Sequence, residues 1–181
     1  MQNLNELAKE IHAGNVARGF YKVQPTLKTQ LMLVITELSE AVEADRKGKY
    51  ARRSNFEIAM RTGRDFQDYF NHFIKDSFED EIADAFIRLM DIAGNRGVDL
   101  SNFALIKRDI HDVADFTQSK CDIIFDMVHG VSYITNSHYG IHEMIQCIDM
   151  ACKVWNIDRE FHVTEKLKYN ATRPYKHGKN Y

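Results

Sequence analysis

The sequence predicts an all-α protein. Apolar residues recur at the three- and four-residue spacing of helices, and no stretch shows the strand–turn–strand pattern of a β-hairpin. The only two prolines, Pro25 and Pro174, lie near opposite ends of the chain. Because proline interrupts helices, the long interior between these two residues can be nearly continuous helix.

The composition is that of a globular protein with its own core. The chain has 181 residues, of which 44% are hydrophobic and 28% charged, which fits one domain. A formal net charge of -2 gives no overall reason to expect binding to polymeric nucleic acid. No apolar run approaches the ~18 residues of a membrane span, and the N-terminus has no basic-then-apolar leader. We therefore expect a cytoplasmic protein without membrane contact. Its three cysteines lack CxxC spacing and predict neither a disulfide framework nor a zinc ribbon.

The predicted helices begin and end at residues with known capping preferences. Pro25 opens the second helix, and Gly97 ends the third. A break is expected inside the third helix at residues 76–77, where Ser77 is a candidate N-cap and Asp80 makes a near match to a capping box. We predict helices at about 3–18, 25–47, 56–60, 65–95 (with the break), 102–116, 120–129, 141–155 and 158–173, and a loop at 130–140.

Two pairs of carboxylates with the same spacing lie on the two most apolar predicted helices. Glu37 and Glu40 belong to the second helix, and Glu81 and Asp84 to the third; residues three apart share a helix face. If these helices pack through their apolar stripes, the four carboxylates converge and need a cation to neutralise them. Carboxylates suit Mg²⁺, with Mn²⁺ as the alternative. The competing interpretation is that these acids lie on solvated helix faces, as most Asp and Glu do.

Di-iron carboxylate bundles also place glutamates on facing helices. Those sites need a Glu-x-x-His motif on two helices, and no glutamate of this chain has a histidine three residues later. A di-iron site is therefore not expected.

The C-terminal segment concentrates positive charge. Lys166, Asn170 and Arg173 are spaced so that a helix places them on one face, and no acidic residue follows Glu165. An ammonium, an amide and a planar guanidinium form a suitable set for phosphate oxygens. The alternative is a basic tail whose salt bridges to the acidic helices contribute little.

Three motifs occur in order along the chain: TELSEA at residues 36–41, FEDEIADA at 78–85 and KLKYNATRP at 166–174. Together they resemble the motifs of the all-α nucleoside triphosphate pyrophosphohydrolases, the MazG-like superfamily that also holds dimeric dUTPases and dCTPases. The combination is specific, whereas each motif alone is common. The family signature places two glutamate pairs on neighbouring helices.

The resemblance covers residues 1–100 and 157–181. It implies a four-helix-bundle-like core with a helical insert at about 101–156, all within one domain of residues 1–181. It also implies a homo-oligomer, either a dimer or a tetramer. The short members of the family lack the insert, whose role the sequence leaves open among a lid, base contacts and replacement of part of a partner subunit.

The resemblance also implies a role for each motif residue. The metal-binding and catalytic residues would be Glu37, Glu40, Glu81 and Asp84, the phosphate-binding residues would be Lys166, Asn170 and Arg173, and the base-binding residues would be Asn15 and Phe20. The implied reaction splits a (deoxy)nucleoside triphosphate between its α and β phosphates, giving the monophosphate and pyrophosphate. One departure is Thr36, which stands where the family often has an acid and leaves four predicted ligands.

Two further cations are candidates for phosphate binding. Arg88 shares the helix stripe of Glu81 and Asp84, where it either reaches a phosphate or pairs with its carboxylate neighbours. Lys75 precedes the second motif and can face the substrate. Phe20 has the alternative of simple core packing.

The expected function is Mg²⁺-dependent hydrolysis of unwanted or excess nucleotides. One alternative is a non-enzymatic helical module that senses a nucleotide or binds a partner. The other is a phosphohydrolase of different specificity that removes a terminal phosphate.

Overall fold

A computed structural model describes residues 3–63, 65–101, 118–134 and 138–175. The prediction of an all-α protein is confirmed, because these residues form eight α-helices and no strand. The helix predicted at 102–116 lies outside the described residues. Within the described ranges, no helix has the length and apolar character needed to span a membrane. The helices are α1 Leu4–Ala17, α2 Leu27–Arg46, α3 Arg53–Met60, α4 Phe66–Phe73, α5 Phe78–Arg96, α6 Lys120–Ser132, α7 His138–Val154 and α8 Arg159–Thr172.

Helix α5 is the centre of the structure, and α1, α2, α7 and α8 pack around it. Thirteen of its 19 residues are buried, so it faces neighbours on nearly every side. At its start, the Ser77 hydroxyl accepts a hydrogen bond from the Asp80 amide, as predicted for an N-cap. At its end, Gly97 adopts a left-handed conformation with φ 64°, which favours glycine.

Helices α1 and α5 approach each other closely at Gly94. A Cβ atom added to Gly94 would lie 2.3 Å from the backbone oxygen of Ala8 and 2.8 Å from Cβ of His12. Only glycine fits such a contact without movement of the backbone. The crossing of α1 over α5 therefore depends on a residue without a side chain.

Helices α3 and α4 form a hairpin between the two acid-bearing helices, α2 and α5. Phe56, Phe70 and Ile74 form a separate small core beneath this hairpin. The break predicted at residues 76–77 is confirmed, because α4 ends at Phe73 and Asp76 has φ 56° before α5 begins. The left-handed residue interrupts the helical backbone between α4 and α5.

Helices α6 and α7, from the predicted insert, pack on α2 and α5 and contribute to the main hydrophobic core. Lys120 at the start of α6 anchors them: its Nζ lies 3.0 Å from Asp45 at the end of α2. The prediction of a loop at 130–140 is wrong at both ends, because α6 continues to Ser132 and α7 begins at His138. Burial of Val131 against the core keeps the end of α6 helical despite Gly130.

Helix α8 completes the bundle along α5 and α4. Asp158 caps it through a hydrogen bond from the Phe161 amide, as predicted. Arg173 ends it in an extended conformation, with φ -79° and ψ 151°. Pro174 explains this end, since a proline disfavours the helical conformation of the residue before it.

Candidate metal and phosphate site

One cavity of about 270 Å³ lies where α2, α5 and α8 meet the end of α1. All eleven residues predicted for the site line it, although they come from five separate parts of the sequence. Their roles stay predictions, but the structure brings them together. The lining consists of Asn15, Phe20, Glu37, Glu40, Lys75, Glu81, Asp84, Arg88, Lys166, Asn170 and Arg173, together with Asp76, Ile87 and Tyr169.

Glu37, Glu40 and Glu81 form a compact carboxylate group at this cavity. Each offers one oxygen, and the three oxygens lie within 4.8 Å of one another. Octahedral Mg²⁺ holds oxygens at roughly 2.0–2.1 Å, which places opposite ligands about 4 Å apart, so a small movement of these side chains would bring their oxygens to the spacing of the ion. Asp84 lies outside this group and contacts Lys166 instead.

The carboxylate group is electrostatically unfavourable without a cation. Burial, followed by the charges of Asp84 and Asp80, raises the pKa of Glu81 to about 9. Burial and the charge of Asp84 also raise the pKa of Glu37, although Arg88 opposes them. A divalent cation would relieve both the repulsion and the desolvation, and it would displace the proton from Glu81.

A second carboxylate group among the described residues, formed by Asp76, Asp80 and Glu81, is a weaker candidate for a metal. Protein cations already serve it: Lys75 lies 2.6 Å from Asp76, and Lys166 lies 2.7 Å from Asp80. These two ammonium groups already neutralise two of the three carboxylates, which leaves less negative charge for a metal ion to neutralise. The group of Glu37, Glu40 and Glu81 has one protein cation, Arg88 at 3.0 Å from Glu37, for its three carboxylates, and is therefore the better candidate for a metal.

Two of the predicted phosphate-binding cations are paired with carboxylates of the cavity. Arg88 donates through Nε to Oε1 of Glu37 at 3.1 Å, and its Nη2 lies 3.0 Å from the same oxygen. Lys166 lies between Asp80 and Asp84, with its Nζ 2.7 Å from each. Burial opposes the charge of Lys166, but these two carboxylates outweigh burial and raise the pKa of Lys166. Its side chain is therefore an ammonium.

Other predicted phosphate-binding groups are differently placed. Arg173 has no carboxylate partner among the described residues, and its extended backbone follows from Pro174. The Oδ1 atom of Asn170 is buried without a hydrogen-bond partner in the described part of the chain. Lys75 pairs with its sequence neighbour Asp76 at the cavity rim. Within the described part of the chain, the cavity thus combines one guanidinium without a carboxylate partner, which lies over the Tyr169 ring, with cations that carboxylates already hold.

The two predicted base-binding residues lie at the α1 end of the cavity. Asn15 belongs to α1, and Phe20 follows in the turn, where its amide donates to the Asn15 carbonyl at 3.1 Å. Gly19 allows this turn with φ 86°, and a Cβ there would stand 2.2 Å from the ring of Tyr175. A glycine is therefore needed to bring Phe20 to the cavity beneath the C-terminal segment.

Sequence reasoning missed two important residues at this site. The sequence predicts Asp80 only as part of a capping box, yet its fully buried carboxylate accepts hydrogen bonds from Lys166 and from the Asp76 amide. Tyr169 lines the cavity, stacks on Phe70 with 4.5 Å between ring centroids, and so fixes α8 against α4. The signal for Tyr169 was present, since it lies among the residues of the third motif.

Thr36, where the resembling family often has an acid, is not among the residues lining the cavity. It is exposed, and its hydroxyl donates to the carbonyl of Met32 one turn earlier. Thr36 lies one turn before Glu40 on α2, so an acid at this position would share the helix face of Glu40.

Comparison with protein-family models, curated proteins and solved structures finds no match to this chain.

Proposed function

We propose that the chain is a Mg²⁺-dependent nucleoside triphosphate pyrophosphohydrolase. The observation that carries the proposal is a single cavity lined by three carboxylates with metal-ligand spacing and by the cations Lys166, Arg88 and Arg173. A purely acidic cavity would suit a metal ion alone, and a purely basic one an anion alone. A metal–polyphosphate complex needs both kinds of group at once.

Glu37, Glu40 and Glu81 would hold the metal, and Asp84 lies one helical turn from Glu81 to complete the predicted set. When bound, Mg²⁺ supplies positive charge for the phosphates and lowers the pKa of a water molecule. The cavity keeps room for water and phosphate oxygens beside the carboxylates, since it encloses about 270 Å³.

The chain's own residues then orient the substrate and move the proton. Arg173, Lys166 and Asn170 would bind phosphate oxygens and stabilise the charge that develops on the leaving pyrophosphate. Water adds to the α phosphorus, and the bond from that phosphorus to the α–β bridging oxygen breaks, so that pyrophosphate leaves. A carboxylate oxygen not used for the metal accepts the proton of the water. Glu40, the exposed member of the carboxylate group, is suited to that last role.

Asn15 and Phe20 would contact the base. An asparagine amide offers both a donor and an acceptor, and an aromatic ring offers a face for stacking. These two residues come from α1 and the turn after it, a different part of the same cavity lining from the α8 cations, so one cavity offers both base-binding and phosphate-binding groups.

A product assay tests the function directly. The protein is incubated with a panel of ribo- and deoxyribonucleoside triphosphates and Mg²⁺, and the products are separated by anion-exchange chromatography. We expect monophosphate and pyrophosphate from at least one substrate, and none with excess chelator. Inorganic phosphate with diphosphate would instead indicate removal of the terminal phosphate. Metal and nucleotide binding without any product would indicate a sensor.

Assembly is the second part of the proposal. We propose a homodimer or homotetramer, as in the resembling family, and light scattering of the full chain measures its mass. A monomer that is active at all protein concentrations would remove this part without affecting the proposed reaction.

A further inference from the structure

The charges of the cavity are paired with one another across helices. Arg88 of α5 contacts Glu37 of α2 through two nitrogens, at 3.1 and 3.0 Å. Lys166 of α8 lies 2.7 Å from Asp84 of α5. Each pair joins a residue suited to a metal ion with a residue suited to a phosphate. Neither ligand can therefore bind fully without breaking an ion pair of the protein.

We propose that a divalent cation and a polyphosphate bind this cavity cooperatively, through an exchange of ion-pair partners. In this exchange the carboxylates turn from the protein cations to the metal, and the released cations turn to the phosphates. The inference rests on the proposed function, since it assigns both ligands to the same cavity. It adds that each ligand prepares the site for the other.

The burial of the Glu37–Arg88 pair makes either ligand alone unfavourable. The side chain of Glu37 is 8% exposed and that of Arg88 is 25% exposed. A metal ion alone would leave the guanidinium partly buried without its partner. A polyphosphate alone would leave the Glu37 carboxylate buried and unpaired beside Glu81. Unpaired buried charges are strongly unfavourable, whereas every charge keeps a partner when both ligands bind.

Arg88 is the main source of this coupling. Lys166 keeps a second carboxylate when Asp84 turns away, because its Nζ also lies 2.7 Å from the fully buried Asp80. Arg173 has no carboxylate partner among the described residues, so binding a phosphate breaks no ion pair there. Arg173 should add affinity for phosphate without coupling, which makes it the matched control for Arg88.

Calorimetric titration of the full chain tests the exchange, with Mn²⁺ alone, inorganic pyrophosphate alone in chelator, and the two together. The wild type, Arg88→Met and Arg173→Met are compared; association of Mn²⁺ with pyrophosphate in solution is the same for all three and cancels. We expect Arg88→Met to bind Mn²⁺ alone about tenfold more tightly than the wild type does. The factor by which one ligand strengthens binding of the other should be about tenfold smaller in this variant, within the usual range of such couplings. Arg173→Met should weaken pyrophosphate binding and keep the coupling.

The outcomes separate this inference from the proposed function. Coupling of equal size in the wild type and Arg88→Met overturns the exchange, even if the protein hydrolyses nucleotides. A wild type that binds neither probe removes both proposals. If Arg88→Met does not fold, Arg88→Lys replaces it, because this variant keeps the charge but not the two-nitrogen contact. Arg88→Lys should show reduced coupling between the two ligands. Unreduced coupling in this variant overturns the exchange.

Discussion

Asp80 and Lys166 form an ion pair of 2.7 Å between α5 and α8, with side chains 0% and 6% exposed. The pair joins the C-terminal helix to the central helix at the floor of the charged cavity. Burial raises the pKa of Asp80 to about 6. The positive charge of Lys166 lowers this pKa, and the negative charge of Asp84 raises it. At neutral pH both partners are therefore charged, and each depends on the other for neutralisation.

Replacing either partner of this pair should destabilise the fold. Asp80→Asn weakens the neutralisation of Lys166, and Lys166→Met leaves the buried Asp80 carboxylate without its cation. We expect Lys166→Met to lower the free energy of unfolding by about 3–5 kcal/mol, the cost of breaking a buried pair, and Asp80→Asn to lower it by less, because Lys166 keeps Asp84 at 2.7 Å. Urea denaturation measures this loss. The double variant should lose much less than the sum of the two single losses; additive losses would show that the two groups do not interact.

The close approach of α1 to α5 leads to a prediction about glycine. Gly94→Ala should lower the free energy of unfolding by about 1–3 kcal/mol, because the added Cβ meets the Ala8 backbone and forces the helices apart. Gly14→Ala is the control: its nearest neighbour is the mobile end of the Arg18 side chain, so it should be neutral or stabilising. Thermal denaturation of both variants measures the difference, and equal effects would contradict the packing argument.

The helices were largely predictable because their ends depend on local chemistry. The cap at Asp158, the stop at Gly97 and the break before Ser77 all involve residues within a few positions of one another. The predicted loop at 130–140 failed where burial of Val131 outweighed the local preference of Gly130. Local preference decides a helix end only where tertiary packing does not oppose it.

The site was predictable as a set of residues but not as a set of contacts. Helical spacing places Glu37 with Glu40, and Glu81 with Asp84, and the motifs connect them to the C-terminal cations. Spacing does not show that Asp80 rather than a solvent-facing acid holds Lys166. That contact depends on how α8 lies across α5, which is a property of the packed core and not of either helix alone.

The raised pKa of Glu81 predicts how pH affects stability and metal binding. Its pKa is about 9 in the folded protein against an ordinary 4.5, so the folded state alone holds this proton between these values. Stability of the metal-free protein should therefore fall as pH rises through this range. Metal binding displaces the proton, so Mg²⁺ should raise the melting temperature more at about pH 8.5 than at about pH 6.

Glu81→Gln removes the titrating group and serves as the control for this pH dependence. The variant should show a flatter dependence of melting temperature on pH in chelator, and little stabilisation by Mg²⁺ at either pH. An equal Mg²⁺-induced rise at both pH values in the wild type would count against Glu81 as a metal ligand.

Glu40 should be required for turnover but not for folding. It is the exposed member of the carboxylate group, so Glu40→Gln removes a metal or proton-accepting oxygen without disturbing the core. We expect turnover to fall by about 10²–10⁴-fold. Glu43→Gln, a matched change one turn later on α2, alters a residue that pairs with Arg46 outside the cavity and should retain activity. Pyrophosphate release measures both; full activity of Glu40→Gln would exclude it from the site.

Arg173→Ala should weaken substrate binding while leaving the chemical step nearly intact. Arg173 lines the cavity without a carboxylate partner among the described residues, so its guanidinium is available for phosphate oxygens. Loss of a charge-assisted contact should raise KM about tenfold or more, with a smaller change in kcat. Lys168→Ala is the control, because Lys168 lies on the same helix, pairs with Glu165 and is not among the lining residues. Steady-state kinetics separates the two parameters. An unchanged KM in Arg173→Ala, or an equal rise in Lys168→Ala, would show that Arg173 makes no specific contact with the substrate.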